Sequence, residues 1–136
     1  MLKELFLNNN NIYKLEFNPD SIKNLTKLFL SFNQVKEINC LAQLPLLQVL
    51  NLSSNKIEQF DELCTLRHME RLDLCSNRIT RIPKGITHLR HLKKIYLSRN
   101  ELDALPNEIP ILPELIVLAI DSNRFKNMPT ELITKL

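Results

Sequence analysis

His88 and His91, Cys75, and the carboxylates of Asp73 and Asp121 are the side chains of this 136-residue sequence best suited to chemistry by type and spacing. A histidine pair three residues apart suits a metal only when a third ligand stands near, and none is near in sequence, so the pair reads as exposed polar residues. Cys75 needs a neighbouring base to act as a nucleophile, and no histidine recurs in step with it. Asp73 and Asp121 are two repeats apart and would lie roughly 10 Å from each other at strand spacing, a separation open to an acid-base pair. No insertion builds a pocket to desolvate them, and they read as solvated surface. The chain has one glycine and therefore no glycine-rich loop for a phosphate. No catalytic residue, metal or cofactor is assigned.

Bulk properties narrow the rest. A chain that is 44% hydrophobic and 24% charged suits one packed domain over residues 1–136. It lacks an apolar run long enough to span a membrane, and "MLKELFLNNNN" has neither the apolar core nor the cleavage site of a signal peptide. Cys40, Cys64 and Cys75 are odd in number without paired spacing, which argues against a disulfide framework or zinc site and for a reducing, cytoplasmic setting. The sequons Asn24-Leu25-Thr26 and Asn51-Leu52-Ser53 would matter only in an exported chain. A net charge of +3, spread among both signs, predicts neither a nucleic-acid nor a membrane partner.

Comparison of the sequence with itself supplies the elements that must position any site. Six units begin at Leu2, Leu25, Leu47, Met69, Leu92 and Leu115, each fitting LxxLxLxxNxL, as in "LQVLNLSSNKI" and "LKKIYLSRNEL". Their asparagines, Asn10, Asn33, Asn55, Asn77, Asn100 and Asn123, are spaced 23, 22, 22, 23 and 23 residues apart. Positions four (Leu5, Leu28, Leu50, Leu72, Ile95, Leu118) and six (Leu7, Leu30, Leu52, Leu74, Leu97, Ile120) share one face of a strand. Two further apolar columns follow, the second being Leu15, Ile38, Phe60, Ile82, Leu105 and Met128. No single unit buries these side chains; stacked units do. The asparagine column is then expected to satisfy backbone groups where the chain turns inward, because an amide both donates and accepts.

This pattern resembles the leucine-rich repeat family over the whole chain. The resemblance implies an α/β fold: a curved solenoid with a parallel sheet on its concave face and short 3-10 or irregular segments on its convex face. Repeats two and three carry Leu41, Leu44, Leu63 and Leu66 at a spacing that suits a 3-10 or short α turn, and look like SDS22-type repeats. Repeats four to six carry Pro83, Pro106 and Pro129 ahead of the return segment and look like those of Ras-binding and scaffold proteins. Neither end has a recognisable polar cap, which raises two expectations: an excerpt of a longer protein, or self-association through the uncapped ends.

Function must then lie in the positions the motif leaves free. Positions three, five, seven and eight are expected on the concave face. There Phe6, Phe29 and Phe32 gather at the first repeats, and Arg71, Asp73, Lys94, Tyr96 and Arg99 at repeats four and five. Exposed aromatic rings and arginines are the composition of interface hot spots. The alternative for Phe6 and Phe29 is that they simply stack as strand neighbours. The expected function is a protein-protein interaction module or scaffold without catalysis of its own. Alternatives are the targeting region of a larger signalling enzyme (kinase, cyclase or ubiquitin ligase) and a fragment of an extracellular pattern-recognition receptor.

Overall fold

A computed structural model describes residues 1–132. Each repeat contributes one three-residue strand: β1 (Glu4–Phe6), β2 (Lys27–Phe29), β3 (Val49–Asn51), β4 (Arg71–Asp73), β5 (Lys94–Tyr96) and β6 (Val117–Ala119). They form one parallel sheet in chain order, with Leu5, Leu28, Leu50, Leu72, Ile95 and Leu118 in register. Parallel neighbours need a crossover, and the return segments supply it. Stacking continues past the strands, where Leu30 N–H donates to Asn51 O at 2.8 Å and Leu52 N–H to Asp73 O at 2.8 Å.

The returns on the convex side are mostly 3-10 turns. Asn39–Gln43, Asp61–Thr65 and Lys84–His88 are five residues each and pack on one another, with Leu41, Leu63 and Ile86 buried beneath. The 23-residue fourth repeat thus gives the same turn as the 22-residue second and third, while the fifth return is shortened to Ile109–Ile111. The residue added in the longer repeat is Pro83, whose extended backbone (φ −67, ψ 144) precedes the turn and leaves it unchanged. Gly85 sits there because a Cβ would approach Cys64 Cβ to 3.2 Å. The first return differs in forming a short α-helix, α1 (Pro19–Ile22), started by Pro19 and capped by Asn18, whose Oδ1 accepts from Asp20 N–H at 3.1 Å.

The core is one continuous cluster from Leu25 to Leu112, flanked by half-buried Leu5, Leu7, Ile12 and Leu15 on one side and Leu118, Ile120 and Phe125 on the other. Met128 departs from its column: it is 71% exposed, whereas Phe60 is fully buried. Burial in a solenoid comes from the next turn, and among the described residues no turn packs over Met128.

Position eight has a property its residue types conceal. Asn9, Phe32, Ser54, Ser76, Arg99 and Ser122 all have φ between 55 and 57. None is glycine, so each carries a left-handed penalty of roughly 1 kcal/mol or more. This residue breaks the extended run after the strand, and the asparagine that follows is carried inward.

Candidate partner-binding face

The asparagines hold the scaffold of this face. Asn55 Nδ2 donates to Leu30 O (2.9 Å) in the preceding turn and Leu52 O (3.0 Å) in its own, while Oδ1 accepts from Val35 N–H at 2.9 Å. Asn33, Asn77, Asn100 and Asn123 repeat the three bonds with their own neighbours. Asn33, Asn55, Asn77 and Asn100 are buried and Asn123 half-buried. Asn10 is exposed, and its amide reaches only Leu7 O and Asn8 O of its own turn.

Opposite the core, positions three and five line the sheet. Phe6 and Phe29, paired across β1 and β2, stack with ring centroids 4.6 Å apart and planes within 1°. The stack does not hide them both: Phe6 stays 62% exposed, and Phe32, on its left-handed residue, 60%. Two strands away Arg71 places its guanidinium 5.1 Å from the centre of the Tyr96 ring. Lys94 and Tyr96 are half-buried, Arg71 and Arg99 exposed. Asp73 is half-buried and accepts from Cys75 N–H at 3.1 Å.

Position seven is less open than its place in the pattern implies. Ser31 is buried, and its N–H and hydroxyl both donate to Asn8 Oδ1 at 2.8 and 2.7 Å. Ser53 does the same to Asn51 Oδ1, and Ser98 Oγ donates to Asp121 Oδ1. The sheet's hydrogen bonding continues along this column, which the next turn partly covers. Cys75 is accordingly half-buried rather than exposed. Burial first, then the charge and hydrogen bond of Asp73, push its thiol up to about 11. Thiolate is therefore scarce near neutrality. Iodoacetamide at about pH 8 is expected to label Cys75 slowly, with the rate rising roughly tenfold per pH unit until about pH 11. Site-resolved mass spectrometry checks this; Cys64 does not compete, since burial pushes its thiol up to about 12. Rapid labelling at neutral pH would contradict the geometry.

The remaining chemically suggestive residues are dispersed. His91 Nδ1 lies 3.1 Å from Glu114 Oε1, and His88 ends a convex 3-10 turn. Among the described residues no group of three His, Cys, Asp or Glu side chains could hold a metal ion, and no helix is long and apolar enough to cross a membrane. Cross-turn ion pairs escaped the reading of the sequence: Lys27 with Glu4 at 2.7 Å, Lys36 with Glu58 at 3.3 Å, Arg81 with Asp61 at 3.0 Å and Lys93 with Glu70 at 2.9 Å. Opposite charges recurring about one repeat apart were the available signal.

Comparison with known proteins agrees with this geometry. Residues 1–25 match the Leucine Rich Repeat family, 23–65 the Leucine Rich repeats (2 copies) family, and 67–125 the Leucine rich repeat family. No curated protein matches the sequence. A leucine-rich repeat protein of Leptospira interrogans has a similar structure with a TM-score of 0.90 and 34% identity, over 98% of this chain and 35% of that one. The functional domain of InlJ from Listeria monocytogenes, which includes a cysteine ladder, aligns with a TM-score of 0.81 and 21% identity over 99% of this chain and 28% of that one. An internalin, InlF, of Listeria monocytogenes gives 0.71 and 22% over 99% and 46%. The chain therefore spans less than half the length of each, and the two Listeria structures speak to fold alone. Proteins of this fold generally mediate protein-protein interaction and are typically non-catalytic. Repeats, register and family matches together make this chain a member of the leucine-rich repeat family.

Proposed function

We propose that the chain binds another protein on its concave face, through an aromatic anchor at Phe6, Phe29 and Phe32 and a basic patch at Arg71, Lys94, Tyr96 and Arg99. The observation that carries this reading is the exposure of Phe6 and Phe32, 62% and 60%, with Phe6 stacked on the Phe29 ring. The motif requires apolar side chains on the opposite face of the strands, so core packing does not account for them. Large rings gathered at a surface are the usual anchor of an interface. No reaction is assigned. Three thiols without disulfide partners favour a reducing, cytoplasmic setting.

Affinity capture of partners, quantified by mass spectrometry, tests the reading. Phe29→Ala with Phe32→Ala, and separately Arg71→Glu with Arg99→Glu, are expected to weaken capture about tenfold or more, as loss of hot-spot side chains does. Circular dichroism should show both pairs folded. Recovery of the same partners at undiminished yield with all four residues changed would move the binding surface elsewhere.

A further inference from the structure

Position three places charges side by side across the sheet, and its steps differ. Between β1 and β2, Glu4 faces Lys27 and the two pair at 2.7 Å. Between β4 and β5, Arg71 faces Lys94. Like charges directly opposite on neighbouring strands are unfavourable. The carboxylates beside Arg71 in sequence are engaged elsewhere: Glu70 pairs with Lys93 at 2.9 Å, and Asp73, on the same face of β4, accepts from Cys75 N–H at 3.1 Å. Among the described residues neither Arg71 nor Lys94 has an ion-pair partner. Arg71 is nevertheless held in place: its guanidinium lies over Tyr96. A cation-π contact fixes the group without neutralising it and leaves its N–H donors unspent.

From this we infer that the Arg71–Lys94 step takes a carboxylate from an extended acidic segment of a partner protein, whose apolar side chain rests on Phe29 and Phe6. The inference rests on the concave-face reading above and names the chemistry of the partner. From β2 to β4 is two strand spacings, roughly 10 Å. An extended peptide crossing the strands covers that distance in about three residues. The partner segment therefore carries an aromatic or aliphatic residue and, about three residues away, an Asp or Glu able to accept from Arg71 in a charge-assisted pair. A nucleic acid fits less well. Asp73 lies in β4 with Arg71, and Asp121 just beyond β6; a run of phosphates would be driven against both, whereas a single side-chain carboxylate at Arg71 and Lys94 meets Asp73 alone.

Selection from a random dodecapeptide library displayed on phage tests this, with the intact chain as bait. The chain is expected to enrich peptides with Asp or Glu about three residues from Phe, Trp or Leu. Arg71→Glu with Lys94→Glu should enrich Lys or Arg in that place instead. Arg71→Gln with Lys94→Gln, which introduces no new charge, should bind the originally selected peptides about tenfold more weakly by fluorescence anisotropy. Peptides lacking acids, identical peptides selected by native and charge-reversed chains, no enrichment at all, or tighter binding of oligothymidylate than of any selected peptide would each overturn the proposal. Acid-free peptides that are lost with Phe29→Ala and Phe32→Ala would leave concave-face binding standing. Peptides indifferent to both sets of changes would remove that reading as well.

Discussion

Phe60→Ala is expected to lower the unfolding free energy by about 3 to 5 kcal/mol, the cost of removing a fully buried aromatic side chain and leaving a cavity. Phe60 is the largest fully buried side chain and belongs to the same packed cluster as Ile38 and Ile82, its counterparts in the flanking turns. It also precedes the Asp61–Thr65 turn directly, so the cavity would open beneath the backbone that carries the chain around the convex side. In a solenoid each repeat is stabilised chiefly by its two neighbours. A defect in the third turn weakens two interfaces at once, whereas a terminal one weakens a single interface. The matching control lies in the same column: Met128→Ala, at a side chain 71% exposed, is expected within about 0.5 kcal/mol of the parent. Urea unfolding followed by circular dichroism reads both. A similar midpoint for the two variants would mean that the column does not pack as a shared core.

The contrast within that column marks where the sequence was legible. Leucine columns two residues apart reveal the strands because only one face of each can be buried, and Leu41, Leu44, Leu63 and Leu66 reveal the return turns for the same reason. Met128 fits its column yet is exposed, since a column states what a neighbour would bury and not whether one is there. Ser31 and Cys75 were harder still. Their seats are polar and nominally outward, but backbone hydrogen bonding carries on past the strands, from Phe32 N–H to Ser53 O and from Ser76 N–H to Ser98 O, and holds the next turn close beside them. Left-handed backbone at Phe32 and Arg99 had no signal at all, because the usual marker is glycine and none is used. On the proposed binding face, the types of Phe6, Phe29, Arg71 and Tyr96 were readable. Their pairing into a ring stack and a cation-π contact depends on register between strands, which the sequence states only once the repeats are aligned.

Asn55→Ala is expected to cost about 1 to 3 kcal/mol, since it leaves Val35 N–H unpaired in a buried turn and takes one of two amide donors from Leu30 O and Leu52 O, which keep Asn33 and Asn77. Asn10→Ala, exposed and bonded only within its own turn, should fall within about 0.5 kcal/mol of the parent. Equal losses would mean that the asparagines act through local turn preference and not by joining turns. Asn55→Asp separates shape from donation. The carboxylate still accepts from Val35 N–H, but it cannot donate and its charge faces two carbonyl oxygens in a site where the amide is 9% exposed. Burial and those carbonyls would raise the introduced carboxyl above its ordinary value, near 4. A group whose pKa is higher in the folded than in the unfolded state binds more protons when folded, so stability falls as pH rises above the unfolded value and recovers as pH falls below it. Relative to Asn55→Ala, the Asp variant should therefore be the less stable near neutrality and gain ground between about pH 6 and 4, where the protonated acid regains one donor. Paired melts of the two variants across that range give the sign directly. A difference that stays constant with pH would show that the amide's donor role at Leu30 O and Leu52 O contributes little.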